Sequence, residues 1–198
     1  MIKEFVFDFG GVLVFSNLEE FIKEISSQYK ISSDIFRQVE LENRLKLDAG
    51  LITINQYFDS MEKKLNIQID RKKYPELILK YATLNKELIN IVKKLKKHYR
   101  LFMLTNNSPL GEKYIKENTE FEQIFDKIII SYHEKMKKPD PEFYKKVIEG
   151  TDIKFNECVY LDDREDLVEA GRKLGMKSIV YTTVQDFIEK ITSFGVKL

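Results

Sequence analysis

Four short clusters hold residue types that could do chemistry. The first is Asp8-Phe9-Gly10-Gly11-Val12, directly after the apolar run Phe5-Val6-Phe7. A carboxylate at the end of a buried strand stands at the sheet's carboxyl edge, where open α/β sheets bind ligands. Asp8 there could be a covalent nucleophile toward phosphorus or carbon, and Gly10 and Gly11 let the backbone turn and approach a bound anion. The second is Thr105-Asn106-Asn107, a hydroxyl with backbone N–H groups ahead of a helix, which suits phosphate as well as a plain helix cap. The third is Lys137-Lys138-Pro139-Asp140-Pro141, where proline fixes the backbone so that the preceding lysine can be held as a point charge; a surface turn would look the same. The fourth is Asp162-Asp163. Adjacent carboxylates at a strand end need a cation or solvent between them. With Asp8 they could hold a hard cation such as Mg²⁺, or Asp162 and Asp163 could simply start a helix.

Five apolar runs supply the strands that must carry these clusters: Phe5–Phe7, Leu101–Leu104, Ile128–Ile130, Val159–Leu161 and Ser178–Tyr181. Amphipathic helices alternate with them. Residues 86–97 place Leu88, Ile91, Val92 and Leu95 on one face, Ser108-Pro109 and Asp140-Pro141 open two more helices, 164–174 is a fourth, and Thr182-x-x-Gln185 starts the last. This alternation predicts an α/β fold with a Rossmann-like, doubly wound parallel sheet.

Between the first strand and residue 85 the pattern is helical throughout. Ser16-x-x-Glu19 has the form of a capping box before Leu18, Phe21, Ile22 and Ile25. Ser33 caps a second helix with Ile35, Phe36, Val39 and Leu45 on its apolar side. Thr53-x-x-Gln56 opens a third through about Leu65, and a fourth follows Pro75. The expected organisation is a core of residues 1–15 and 85–198, with a four-helix insertion, 16–84, over the carboxyl edge of the sheet.

Composition narrows the function. Lys plus Arg is 33 and Asp plus Glu is 32, a net charge of +1, which argues against a nucleic-acid binder driven by bulk charge. Lys93, Lys94, Lys96 and Lys97 lie opposite an apolar stripe and read as a solvated face. No apolar run approaches the ~20 residues of a membrane span, so no membrane partner is expected. The N-terminal residues lack a secretion signal, and the lone Cys158 cannot form an intrachain disulfide; a cytoplasmic location is expected. His98 and His133 are too far apart for a metal pair.

All four clusters, in this order, resemble the haloacid dehalogenase-like (HAD) hydrolase superfamily. The motifs are Phe7-Asp8-Phe9-Gly10-Gly11-Val12-Leu13, Leu104-Thr105-Asn106-Asn107, Met136 through Tyr144, and Tyr160-Leu161-Asp162-Asp163 continuing to Glu169-Ala170-Gly171 and Leu174-Gly175-Met176. Ala49-Gly50-Leu51-Ile52-Thr53 is similar to a recurring element of the family's helical cap.

The resemblance implies a Mg²⁺-dependent phosphatase of small phosphorylated metabolites. Asp8 would form an aspartyl-phosphate. Mg²⁺ would be held by Asp8, the Gly10 carbonyl and Asp163, with Asp162 a secondary candidate. Thr105 and the Asn106 N–H would bind phosphate oxygens, beside the Gly10-Gly11 turn, and Lys138 would neutralise the transferring group. Two positions depart from the pattern. Typical family phosphatases carry an Asp, as general acid and base, where Gly10 stands; the Asp-x-Gly form is similar to a glucose-1-phosphate phosphatase branch, and a sugar 1-phosphate would offer an easy leaving group. Leu167 replaces a metal-supporting Asp or Asn, and Asp166 next to it is turned away by roughly 100° along a helix. A catalytically weak binding or regulatory protein is therefore the alternative. A haloacid dehalogenase fits less well, since Gly10 replaces the tyrosine of the Asp-x-Tyr-Gly form. Phe15, Ser16, Asn17, Lys46, Asp48 and Tyr57 are candidate pocket residues, and both monomer and homodimer fit the sequence.

Overall fold

A computed structural model describes all 198 residues. Five parallel strands form the central sheet: β1 (Glu4–Phe7), β4 (Arg100–Thr105), β5 (Lys127–Ile130), β6 (Cys158–Asp162) and β7 (Lys177–Val180), in the order β5-β4-β1-β6-β7. These are the five runs read from the sequence, each extended or shifted by a residue or two. The chain winds outward from β1 through β4 to β5, then returns to β6 on the other side of β1. The strand order reverses beside β1, and this is where such sheets open a crevice. Register brings the chemistry level: Phe7 pairs with both Met103 and Leu161, so Asp8, Thr105 and Asp162 emerge together at one edge.

Both faces of the sheet are covered, which explains why its strands are apolar without alternation. Phe5, Phe7, Leu101, Met103, Val159 and Leu161 pack on one side with α5 (Lys86–Leu95) and α11 (Val184–Ser193). Val6, Phe102, Leu104, Cys158 and Tyr160 pack on the other with Phe143, Tyr144 and Val147 from and beyond α9 (Pro141–Lys145). Helix α10 (Glu165–Lys173) connects β6 to β7. The α5 lysines are solvated as expected; Lys93 pairs with Glu120, and Lys96 with Asp126 at 2.6 Å. No helix is long and apolar enough to cross a membrane.

The segment after β1 holds α1 (Leu18–Tyr29), α2 (Ser33–Asp48), α3 (Ile54–Leu65) and α4 (Lys73–Lys80), which share an apolar cluster around Phe21, Phe36, Tyr57, Met61 and Tyr74. The Thr53 capping box is formed in full. The all-helical reading of this segment misses a two-stranded antiparallel ribbon, β2 (Val14–Ser16) with β3 (Ala82–Leu84), through which the chain leaves and re-enters the core. Strands of three residues are too short to show a period. Two caps sit one residue later than their motifs suggest. Asn17, not Ser16, accepts from Glu20 N–H at 3.2 Å, and Thr183, not Thr182, accepts from Asp186 N–H at 3.1 Å. The second helix starts at Ser33 itself, and neither it nor Ser32 makes a side-chain cap.

The largest correction concerns α2. Of the four residues read as its apolar side, Phe36 is fully buried and Val39 packs beside the same cluster, but Ile35 and Leu45 are 55% and 47% exposed, while Glu40, Asn43 and Asp48 are buried. Asn43 donates to the Val39 carbonyl at 2.7 Å and lies against Met61 of α3. Glu40 and Asp48 line a cavity, so the inward face of α2 is mixed, apolar at Phe36 and Leu47 and polar at Glu40, Asn43 and Asp48.

At the opposite edge of the sheet, Glu4 on β1 is fully buried. Its Oε2 has no hydrogen-bond partner, the nearest cation is Arg100 at 4.0 Å, and its Oε1 accepts only the Cys158 thiol at 3.8 Å. Burial pushes the Glu4 carboxyl up to about 7. A raised carboxyl stabilises the fold fully below its unfolded pKa and loses that contribution as pH rises through the folded value. Glu4→Met is therefore expected to stabilise the protein by about 1–3 kcal/mol at pH 8, with the gain shrinking toward pH 5. Denaturant unfolding at the two pH values checks this; a variant equally destabilised at both would show that the carboxylate is well solvated.

Candidate active site

The four clusters converge on one crevice. Asp8 is anchored by its own N–H, which donates to the Leu161 carbonyl at 2.8 Å. The Lys138 ammonium lies between two carboxylates, 2.7 Å from Asp8 Oδ1 and 2.6 Å from Asp162 Oδ2. All three are buried, Lys138 to 2% exposure and Asp162 completely. Burial alone would pull the Lys138 ammonium down, but Asp8 and Asp162 overcome it and leave it raised. Burial, with Asp162 close by, raises the Asp8 carboxyl above the usual range against the pull of Lys138.

Lys138 is positioned by more than the proline that follows it. The Asn106 side chain clamps its backbone, donating to the Lys138 carbonyl at 2.9 Å and accepting the Lys138 N–H at 2.8 Å. That link between the second and third clusters is invisible in the sequence, because the partners are 32 residues apart. Thr105, at the end of β4, is buried and lines the crevice with Asn106. Asn107 continues the edge: its N–H donates to Ser131 Oγ at 2.9 Å, at the start of α8 (Ser131–Glu134). Gly111, in α6 (Pro109–Glu117), is required there, since a Cβ would lie 2.1 Å from the Asn107 side chain.

The two aspartates of the fourth cluster differ. Asp162 is committed to protein donors: Lys138, the Tyr160 hydroxyl and the Arg164 N–H at 3.0 Å. Asp163 is exposed and pairs with no cation of the protein, and burial on one side, then Asp162, raise its carboxyl. Oxygens of Asp8, Asp162 and Asp163 lie within 4.8 Å of one another. Gly11, at φ +76°, lets Asp163 in, for a Cβ there would lie 2.4 Å from Asp163 Oδ2. An all-oxygen set of this kind fits a hard divalent cation. Of the three, Asp163 and Asp8 keep free lone pairs, whereas Asp162 has spent most of its capacity.

Gly10 leaves open space, with nothing within 4 Å of where its Cβ would be. Leu167 is buried, and its carbonyl accepts the Tyr144 hydroxyl at 2.9 Å. Asp166 pairs with Arg164 at 2.6 Å on the surface and does not enter the crevice. His98 and His133 are both exposed, and His133 contacts Glu112 at 2.9 Å.

The crevice opens into a cavity of about 420 Å³ between sheet edge and helices, lined by Asp8, Gly10, Thr105, Asn106, Lys138 and Asp163 from below. Of the candidate pocket residues, Ser16, Asn17 and Asp48 line it. Phe15 points to solvent, Lys46 pairs with Glu42 at 2.8 Å, and the Tyr57 hydroxyl meets that of Tyr74 at 3.0 Å inside the helical cluster. Glu40 and Arg44, which the sequence reading did not single out, line the cavity as well. Their Glu-x₃-Arg-x₃-Asp spacing with Asp48, one helical face at i, i+4 and i+8, was the available signal.

The sequence model of one family, haloacid dehalogenase-like hydrolase, matches residues 2–175. The chain belongs to this family. It is 21% identical to a D-ribitol-5-phosphate phosphatase of Bacteroides thetaiotaomicron, over 97% of this chain and 98% of that protein. Among solved structures, a HAD-family enzyme from the same bacterium superposes with a TM-score of 0.82 at 25% identity, covering 96% of this chain and 98% of the other. That enzyme has also been crystallised with magnesium and inorganic phosphate, and this form superposes at 0.81 with 23% identity, covering 93% and 96%. As a member of the HAD hydrolases the chain is a hydrolase, built on the family's Rossmann-like core.

Proposed function

We propose that this HAD hydrolase is a phosphatase of small phosphorylated metabolites, with residues 1–15 and 85–198 as catalytic core and 16–84 as a cap over the crevice. The observation that carries the reading is the buried Lys138 ammonium held at 2.7 Å from Asp8 and 2.6 Å from Asp162. It keeps a desolvated carboxylate ionised at a sheet edge beside Thr105 and Asn106. Phosphoryl transfer asks for little else, since positioning and charge stabilisation do most of the work.

In the proposed sequence, Asp8 attacks phosphorus and the bond to the ester oxygen breaks. The alcohol departs with the bonding electrons and takes a proton from water. A second water then attacks phosphorus, releasing phosphate and restoring Asp8. Thr105 and the Asn106 N–H receive the phosphoryl oxygens, the Gly10-Gly11 turn lets backbone approach them, and Lys138 offsets their charge. Asp8, Asp163 and the Gly10 carbonyl would hold Mg²⁺, with Asp162 turned to Lys138 instead; bound there, Mg²⁺ would neutralise the charge of the phosphoryl group. The magnesium and phosphate in the related crystal structure support this choice.

Gly10 brings no side-chain acid next to the leaving oxygen, so esters that leave readily should be favoured. The relatedness to a ribitol-phosphate phosphatase supports sugar and polyol phosphates as the class to try first. Phosphate release from sugar phosphates, polyol phosphates, acyl phosphates and p-nitrophenyl phosphate is expected with Mg²⁺ and to vanish in EDTA. Folded protein that releases no phosphate from any of them would shift the reading to a HAD-fold binding or regulatory protein, the alternative that rests on Gly10 and Leu167. Activity that persists in EDTA on haloacids would point to dehalogenation.

A further inference from the structure

The cavity has two polar surfaces, set in a wall to which Leu18, Phe21, Ile78 and Leu110 add apolar area. Below, Asp8, Thr105, Asn106, Lys138 and Asp163 can take a phosphate; above, Glu40, Arg44 and Asp48 descend from one face of α2. We infer that Glu40, Arg44 and Asp48 bind the phosphate-free end of the substrate, and that they select an uncharged chain bearing several hydroxyls, a polyol or sugar, over one ending in an anion. The inference rests on the phosphatase reading of the lower surface.

Three observations carry it. First, the two carboxylates of the row are buried although they are charged, while Arg44 between them is partly exposed. Glu40 and Asp48 are 5% and 9% exposed, and no apolar packing explains polar residues on the inward face of a helix. Buried charges are kept where they have partners. Second, the partners are incomplete. Arg44 lies 3.0 Å from Glu40 but 3.8 Å from Asp48, too long for a hydrogen bond. Asp48 is otherwise faced by Glu40 on its own helix, by the Ser108 hydroxyl ahead of α6, and by Lys137 in the loop after α8. Its carboxyl keeps unused capacity toward the cavity. Third, the charges set the kind of ligand. Arg44 stands between two carboxylates, so it offers little net attraction to an anion; an anionic tail at this row would meet Glu40 and Asp48, while the cavity's other cations beside Lys138, Lys137 and Arg164, come from the core side. Hydroxyl groups donate and accept, and they match a row that alternates acceptor, donor and acceptor.

Burial pushes the Asp48 carboxyl up to about 7. Above that value it is a carboxylate, which accepts from hydroxyls and repels an anionic tail. Size agrees: a cavity of about 420 Å³ holds a phosphate and a five- or six-carbon chain but is at the small end for a larger ligand. The α2 terminus is also fixed in place, because the Ser131 hydroxyl bonds the Asp48 carbonyl and so ties the row to the core beside Asn107.

The test compares kcat/KM for a pentitol 5-phosphate, the matching pentonate 5-phosphate and p-nitrophenyl phosphate in wild type, Asp48→Asn and Arg44→Met. Wild type is expected to prefer the pentitol over the pentonate ester by at least tenfold. In Asp48→Asn the ratio of pentitol to p-nitrophenyl activity is expected to fall at least tenfold, mainly through KM, because p-nitrophenyl phosphate has no tail hydroxyls to lose. Uniform loss on all three esters, or none, would overturn the inference and make Asp48 a strut between helices and core. Arg44→Met must shift the same ratio, and serves alone if Asp48→Asn does not fold. The p-nitrophenyl rate of the wild type reports on the phosphatase reading separately. Should that rate be zero, calorimetric binding of the pentitol ester to wild type and Asp48→Asn still decides: equal affinities overturn the inference, and at least tenfold weaker binding upholds it.

Discussion

Asp8→Asn is expected to abolish phosphate release while leaving the fold as stable as wild type or more so. The activity arm follows from covalent chemistry. An amide cannot attack phosphorus as a carboxylate does, and removal of a nucleophile that works with its partners costs roughly 10⁴-fold or more in kcat. The stability arm follows from burial. Asp8 is 8% exposed, and desolvation with Asp162 nearby outweighs Lys138 and raises its carboxyl. A carboxyl raised in the folded state stabilises below its unfolded pKa, and that contribution is lost as pH rises through the folded value. At pH 8 the wild type carries the whole cost of an ionised Asp8, and Asn carries none. Thermal unfolding in EDTA should give Asp8→Asn a melting temperature equal to or above wild type at pH 8, the difference closing toward pH 5. Phosphate release from the same preparations should be at background. A variant that unfolds early would show that Asp8 supports the structure, and one that keeps substantial turnover would remove it as the nucleophile.

The legible part of this site was the part fixed by short-range chemistry. Asp8, Thr105 and Asp162 stand out because each ends an apolar run, and parallel strands in register put such ends at one edge. Lys138 stands out because proline follows it. What joins them was not legible. Asn106 looked like a phosphate ligand through its N–H, yet its side chain spends both ends on the Lys138 backbone. Only the family resemblance ranked Asp163 above Asp162 as a metal ligand; the contacts that tell them apart, Tyr160, Lys138 and Arg164 on the first and none of these on the second, are not written in the pair itself. Such divisions depend on contacts across tens of residues, which no local spacing encodes.

The helical insertion shows the reverse case, in which a local rule was clear and held for only part of a helix. Ile35, Phe36, Val39 and Leu45 suggested an apolar stripe on α2 because core helices usually bury one, and Phe36 does enter the apolar cluster. The helix turns Glu40 and Asp48 inward as well, in place of Ile35 and Leu45. Leu45 and Leu18 are spent at the wall of the cavity, where they are partly exposed. Local and tertiary demands disagree most where a protein makes room for a ligand, and α2 is where they disagree here.

Lys138→Met has the second large effect, and it should be opposite in character to Asp8→Asn. On the proposed mechanism both variants are expected to lose activity, Lys138→Met by roughly 10³-fold, because the charge proposed to offset the transferring group disappears. Only Lys138→Met should lose stability. Lys138 is the cation between Asp8 at 2.7 Å and Asp162 at 2.6 Å, and its side chain is 1% exposed. Without it two buried carboxylates face each other, and breaking such a pairing costs about 3–5 kcal/mol. For a chain of this length that is a drop in melting temperature on the order of 10 °C. The double variant Asp8→Asn/Lys138→Met separates causes. If like-charge repulsion is responsible, removing one carboxylate restores much of the lost stability and none of the activity, a coupling that a thermodynamic cycle reads directly. Additive losses in the cycle would instead mean that Lys138 matters as packing against Tyr160, whose ring it overlies at 5.6 Å, and that the two carboxylates find their own solvation. The two outcomes differ in what the site is for. Coupling would mean that Asp8 and Asp162 are held together at a stability cost that only a charged ligand or Lys138 relieves, which is how a site poised for phosphoryl transfer is expected to behave.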